Sequence, residues 1–282
     1  MALATRLRST SHWSDPRVKP PFGSVEIDLE HPLRTGTKVL VLANEGGGIP
    51  HDLARGLRLG SPNGTPTWAT NTGGLARDYT TDTQYDLIGT EGSNLTLPTN
   101  QITCLLIRRK KDTGLASAAG SFGLSSGGTS TFGAMLPYTN GQIFWDVGTA
   151  RLEVAFTPVT TLETWVFVGG PLGMAIYREG VRLASSGTAV SRTVSTSQLR
   201  LNDNTGSGVS GGYLQETGFF SVLDAEWTAD MAARWHAGTY AGLHPIIRRR
   251  YFFFTPAAGA AENIFIQERV GRGIGRGIFV GR

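Results

Sequence analysis

Short apolar segments separated by glycine-rich turns run through most of this sequence and constrain its fold more than any other feature. Glycine contributes 38 of the 282 residues, and threonine and serine are abundant, which favours strands and tight turns over helices. In many segments apolar and polar residues alternate, as in strands with one buried face. The predicted strands cover residues 25–29, 39–42, 102–107, 142–147, 152–156, 164–168, 174–177, 181–184, 199–201 and 213–222. Their number and spacing predict an all-β sandwich.

Turn and cap signals define the connections between these segments. Glu179 and Gly180 lie between two apolar runs and predict a two-residue hairpin turn, with glycine at a strained position. Only one helix is predicted, a short one that Thr228 caps at its N-terminus and Gly238 stops. Loops are predicted at residues 44–48 and 61–64.

The two ends of the chain differ from this pattern. Residues 1–24 contain three prolines among charged and small residues and predict an extended N-terminal arm. Residues 25–243 are predicted to form the sandwich. Residues 244–282 form a basic, Gly/Arg-rich C-terminal arm, whose part from residue 248 onward carries seven basic and two acidic side chains. The net charge of +4 is therefore concentrated at the C-terminal end.

Composition excludes several classes of protein. Cys104 is the single cysteine, so an intramolecular disulfide or a thiolate metal cluster is impossible. We expect neither Sec-dependent export nor insertion in a membrane, because the N-terminus lacks an apolar core and no segment approaches the roughly 20 apolar residues that span a bilayer. The five histidines are scattered without metal-ligand spacing, and no cofactor is predicted.

Part of the sequence resembles the laminin-G-like, concanavalin A-like family. The resemblance is carried by residues 165–168 (WVFV), 175–182 (AIYREGVR), 198–202 (QLRLN), 218–222 (GFFSV) and the capped helix from Thr228 to Trp235. It implies a jelly-roll β-sandwich. A similarity to laminin-G-like proteins encoded beside tailed-phage structural genes is carried by residues 31–33, 44–48 and 52–53 and by the RRRYFFF join after Pro245. This similarity implies a virion protein.

Three carboxylates are the most suggestive catalytic signal. Glu26, Asp28 and Glu30 alternate along one segment, as in a related jelly-roll glycosidase family, and one strand would place all three on one face. Retaining glycosidases need two carboxyl groups about 5–5.5 Å apart. The residues after Glu30 depart from that family's pattern, so we expect a solvent-facing strand and no enzyme. Residues 123–127 have the spacing of a nucleophile elbow, but no helix follows and a loop is predicted.

Two kinds of binding site are also considered. Calcium at a sheet rim could take oxygen ligands from Asp78, Asp146 and Asp203. We favour the interpretation that all three are turn-forming residues in loops. The aromatic residues that could stack on sugars are Trp68, Tyr79, Tyr138 and Trp145. For most of these we expect positions in the core or at an interface.

The C-terminal arm carries the predicted partner-binding residues. In an extended conformation, glycines occupy almost all of one face from residue 271 onward, while the other alternates arginines with apolar residues. This pattern predicts a docking strand; the alternative is an RG-rich tail that binds nucleic acid or nothing. The predicted contacts are Arg248, Arg249, Arg250, Arg272, Ile274, Arg276, Ile278 and Phe279.

The sequence thus predicts a non-catalytic structural protein of a phage virion, either a capsid decoration or a tail-associated subunit. Its partners would be capsid or tail proteins and further copies of itself, while membranes and nucleic acid are not expected as partners. The first alternative is a carbohydrate-binding module for adhesion to host glycans. The second is a glycoside hydrolase that uses Glu26 and Glu30.

Overall fold

The structure is a computed structural model that describes residues 17–20, 25–114, 120–124, 128–203 and 212–245, and the backbone of residues 266–268 and 276–278. The first strands are β1 Val25–Ile27, β2 Thr37–Val41, β3 His51–Asp52, β4 Leu57–Arg58, β5 Gly60–Asn63, β6 Thr67–Asn71, β7 Gly74–Tyr79, β8 Tyr85–Thr90, β9 Ile102–Lys110, β10 Phe122–Leu124 and β11 Phe132–Met135. The remaining elements are β12 Gln142–Val147, β13 Ala150–Ala155, β14 Leu162–Gly170, β15 Gly173–Arg178, β16 Val181–Ser186, β17 Gln198–Leu201, β18 Gln215–Leu223, α1 Ala229–Ala237, β19 Leu243–Pro245, β20 Ile266–Glu268 and β21 Arg276–Ile278.

Two antiparallel sheets form the body of the protein. The smaller sheet has seven strands in the order β13, β12, β11, β10, β17, β8, β5. The larger sheet has ten strands, with the main order β16, β15, β14, β9, β18, β2, β3, β4, and with β7 paired to β18 and β6 paired to β7. The chain is therefore an all-β jelly-roll sandwich with one short C-terminal helix, which confirms the predicted fold class.

The first hydrophobic core lies between the two sheets. Strand alternation points every second side chain of β9, β12 and β14 into this space. Phe122 of the smaller sheet lies at the centre, with its ring centroid 5.6 Å from that of Phe167 and 4.9 Å from that of Phe220 in the larger sheet. Cys104 is fully buried here. Aromatic contacts of this kind contribute about 0.5–1.5 kcal/mol each beyond the area that they bury.

A second hydrophobic core covers the opposite face of the larger sheet. Helix α1 packs Trp235 against Phe219 of β18, with ring centroids 5.9 Å apart. The helix begins where the Thr228 side chain accepts a hydrogen bond from the backbone N–H of Met231, and it ends at Gly238, as predicted. Strands β1 and β19 pair with each other beside it. The second core therefore lies between the larger sheet and a covering layer formed by α1 and the β1–β19 ladder.

Several local predictions are confirmed and others are wrong. Glu179 and Gly180 have φ angles of 52° and 75° and form the predicted hairpin turn. The predicted loop at residues 61–64 is wrong, because Gly60–Asn63 forms β5 and pairs with β8. The loop predicted for residues 123–127 is wrong at its start, because Phe122–Leu124 is a buried central strand. No described helix is long and apolar enough to cross a membrane.

Candidate functional site

The predicted partner-binding residues lie in the C-terminal region. Six of them lie outside the described residues: Arg248, Arg249, Arg250, Arg272, Ile274 and Phe279. Arg276 and Ile278 belong to β21, which pairs antiparallel with β20 of the same chain, so that Ile278 lies opposite Ile266. Binding of this arm to a neighbouring subunit stays a prediction.

The three candidate catalytic carboxylates do not share one strand face. Strand β1 ends at Ile27, and Asp28 begins a turn in which its side chain accepts the backbone N–H of Glu30 at 3.1 Å. The Asp28 carboxylate also lies 3.9 Å from His244 Nε2. The expected alternation is therefore wrong for Asp28 and Glu30, because the chain turns immediately after β1. Glu26 lies in the two-stranded β1–β19 ladder, outside both main sheets.

The three candidate calcium ligands are each paired with a basic side chain. Asp78 forms an ion pair with Lys111. Asp146 accepts two hydrogen bonds from Arg151, at 2.7 and 2.8 Å. Arg200 donates to Asp203 at 2.7 Å. A cation would have to displace a guanidinium or an ammonium group at each position, and the described residues contain no group of three or more metal-ligating side chains.

The four candidate aromatic residues separate into two pairs. Tyr79 and Trp145 are fully buried, so the expectation of a core position is confirmed for both. Trp68 and Tyr138 are partly exposed. The Arg77 guanidinium lies 5.3 Å from the Trp68 ring, and the Tyr138 ring lies 5.3 Å from that of Phe144. Any stacking on a ligand would involve this second pair.

An arginine stack marks the β12–β13 edge of the smaller sheet, on the face turned away from the first core. The Arg151 guanidinium lies 4.4 Å from the centre of the Phe144 ring while it holds Asp146. Hydrogen bonding to Asp146 is the main cause that raises the pKa of Arg151. The Arg151 side chain is 44% exposed. We call Phe144, Asp146, Arg151 and Tyr138 the edge cluster; it presents a fixed cation beside an aromatic surface.

A second arginine stack lies across the same face. Arg200 of β17 lies 4.4 Å from the Tyr85 ring. Strand register places Arg200 opposite Gly123, then Gly133, Asp146 and Arg151, so the two arginines lie in one row of aligned residues, which continues past Arg200 to Leu87 of β8. Four strand spacings of about 4.8 Å separate their Cα atoms by about 19 Å. The glycines between them are buried, whereas the Arg200 side chain is 18% exposed and the Arg151 side chain 44%.

A buried charged cluster at one end of the first core was missed by sequence reasoning. Arg108 is fully buried, 3.6 Å from the Glu163 carboxylate, and donates to Gln215 at 3.2 Å. Arg178 lies 2.8 Å from the other Glu163 oxygen. Burial raises the pKa of Glu163 although both arginines act to lower it. The sequence signal that could have revealed this cluster is the alternation of side chains along β9, which continues past Leu106 and points Arg108 inward.

Solved structures share this architecture. The Trypanosoma rangeli sialidase in complex with sialic acid has a TM-score of 0.53 and 11% identity over 73% of this chain and 33% of its own. Domain 4 of AbnA, a GH43 extracellular arabinanase from Geobacillus stearothermophilus, in complex with arabinotriose, has a TM-score of 0.53 and 11% identity over 70% of this chain and 97% of its own. The binding domain of Paraclostridial Mosquitocidal Protein 1 has a TM-score of 0.55 and 7% identity over 72% and 52%.

The likeness is one of fold. The chain spans about a third of the sialidase and nearly all of the arabinanase domain. No protein-family model and no curated protein matches the sequence. At these identities the comparisons support a β-sandwich that occurs both within enzymes and in separate binding domains, and they leave the activity to be argued from the residues.

Proposed function

We propose that this chain is a non-catalytic structural subunit of a phage particle, in which the sandwich is presented at a surface and the terminal arms fasten it to neighbouring subunits. The observation that carries the proposal is the β20–β21 ladder. It pairs with none of the other described strands and so adds β structure outside both main sheets. Backbone edges of that kind support strand addition between chains.

The positions of the acidic side chains support a role without catalysis. Glu26 and Asp28 lie in the small β1–β19 ladder and its turn, and Glu30 is exposed beyond it. A glycosidase needs two carboxyl groups held at a fixed separation across a sugar. Release of reducing sugar from a polysaccharide by the full chain, abolished by Glu26→Gln, would contradict the non-catalytic part of the proposal.

Deletion of residues 248–282 tests the role of the C-terminal arm. We expect the shortened chain to keep the circular dichroism spectrum of a sandwich and to lose co-sedimentation with particles that lack the protein. The full-length double variant Arg272→Ala/Arg276→Ala should weaken co-sedimentation, because arginines contribute charge-assisted hydrogen bonds to acidic surfaces. Arg182→Ala, at an exposed arginine of the sandwich, is the matched control. Undiminished attachment of the deletion variant would refute this role.

Glycan adhesion is the second candidate, and the edge cluster favours it. A partly exposed arginine fixed on an aromatic ring can hydrogen-bond to sugar hydroxyls or carboxylates beside an apolar contact. The arabinanase domain in complex with arabinotriose gives an example of a sugar complex on the same fold. We expect Arg151→Ala to remove any signal on a glycan array and Arg182→Ala to keep it. A signal insensitive to Arg151 would place glycan binding elsewhere.

A further inference from the structure

Lys19 is an unusually buried lysine in the N-terminal region. It lies in residues 17–20, which we call the strap, and only 9% of its surface is exposed. Its Nζ donates to three backbone carbonyl oxygens, those of Ala43 at 3.0 Å, Leu75 at 2.5 Å and Gly218 at 2.7 Å. The arrangement matches the three donors of an ammonium group to three acceptors.

The three carbonyls converge because β18 changes partner at Gly218. Its residues up to Thr217 pair with β7, and its residues from Phe220 pair with β2. Gly218 lies at the change, and Leu75 and Ala43 each lie two residues beyond the last paired residues of the two partner strands, Arg77 and Val41. Buried backbone carbonyls need hydrogen-bond donors, and Lys19 donates to all three at this change of partner.

We infer that this carbonyl triad is a binding site for the head group of a primary amine, which the chain fills with its own Lys19 to fasten the strap to the sandwich. The side chain reaches the triad along Gly74, where an added Cβ would lie 3.4 Å from the Lys19 Cδ. The charged group that acts on Lys19 most directly is Glu45. Burial lowers the pKa of Lys19 to about 7; the ammonium form can donate to all three carbonyls, whereas the neutral amine has two N–H donors.

Chemical rescue of Lys19→Ala tests the inference on the full chain. The truncation keeps Cβ and removes three carbons and the amine, so it leaves a channel that n-propylammonium has the length to fill. At pH 6 we expect the variant to melt about 2–6 °C lower than the wild type. Trypsin should also cut the Arg17–Val18 bond several-fold faster. Propylammonium chloride should recover about half of both losses, whereas tetramethylammonium chloride, which has no N–H donor, should recover neither.

Two further variants keep the result interpretable. Lys38→Ala removes a lysine whose side chain is 39% exposed, and it should neither change the tryptic cut nor respond to propylammonium. Lys19→Met keeps the aliphatic stem without donors, so it should show the faster cut and no rescue, because the channel stays filled. Equal recovery with the two salts, rescue of Lys19→Met, or wild-type behaviour of Lys19→Ala would each overturn the inference.

Discussion

Removal of Asp86 is the sharpest test of how the two sheets are held together. Asp86 lies on β8 of the smaller sheet and accepts hydrogen bonds from Arg77 Nε at 2.8 Å and Nη2 at 3.0 Å. Arg77 lies on β7 of the larger sheet. The Tyr79 hydroxyl donates to the same carboxylate at 2.8 Å. All three side chains are buried, so one carboxylate satisfies a cation and a hydroxyl away from water.

The variant Asp86→Leu keeps the branched arrangement of side-chain heavy atoms, with methyl groups in place of the carboxylate oxygens, and leaves both partners without their acceptor. Breaking a buried ion pair costs about 3–5 kcal/mol, and an unpaired buried hydroxyl about 1–3 kcal/mol more. Arg77 keeps a hydrogen bond to the Gly48 carbonyl at 3.2 Å and its contact with the Trp68 ring, which offsets part of the loss. We therefore expect the free energy of unfolding to fall by about 4 kcal/mol.

Guanidinium unfolding of the single and double variants measures this loss. The double variant Arg77→Leu/Asp86→Leu removes both charges, and we expect it to recover the part of the loss that the unpaired charge causes, because apolar replacement of a buried pair is often neutral. The Tyr79 hydroxyl stays unpaired in it and should still cost about 1–3 kcal/mol. Asp230→Ala breaks an exposed pair with Arg234 and should cost less than about 1 kcal/mol. A loss below about 1 kcal/mol for Asp86→Leu, or a double variant as unstable as the single one, would refute the reasoning.

Three further predictions concern single positions. The folded chain holds the pKa of Lys19 at about 7, below its ordinary value of 10.5, so unfolding takes up a proton between these values. The free energy of unfolding should rise with pH across that window, and Lys19→Met should abolish the rise in a urea titration series. Thr228→Ala should cost about 1 kcal/mol through loss of the helix cap, with Thr228→Ser as the neutral control in thermal melts. Gly173→Ala should cost more than about 2 kcal/mol, because the φ angle of Gly173 is +113° and an added Cβ would lie 1.9 Å from the Ser186 carbonyl oxygen. Gly187 has open space around it, so Gly187→Ala should be nearly neutral in the same melts.

Strands of the larger sheet were the most predictable part of the fold. Residues 164–168 and 174–177 carry apolar residues on both faces, because one face meets the first core and the other meets the layer with α1. The turn at Glu179 and Gly180 needs positive φ angles, which its glycine indicates directly. The Thr228 cap is equally local. A local structure whose physical cause lies within a few neighbouring residues can therefore be predicted from the sequence.

Features that depend on distant partners were not predictable. β10 contains Gly123 in a glycine- and serine-rich stretch that reads as a loop, and it is a strand because β11 and β17 pair with it on both sides. The edge cluster needs the register that places Arg151 opposite Asp146. The Lys19 site needs three carbonyls from separate parts of the chain. None of these contacts leaves a periodic signal in a single segment.

The free edge of the larger sheet bears on the proposed role in a particle. Among the described strands β16 pairs only with β15, so one row of its backbone groups has no strand partner. Val181 is 64% exposed and Leu183 is 37% exposed on this strand. Proteins that stay monomeric usually protect such an edge with lysine, proline or a bulge that turns it away. Strand β16 has such an irregularity, because Leu183 lies between the residues that pair with Ile176 and Tyr177. The proposed strand addition therefore depends on the C-terminal β20–β21 ladder and not on this edge.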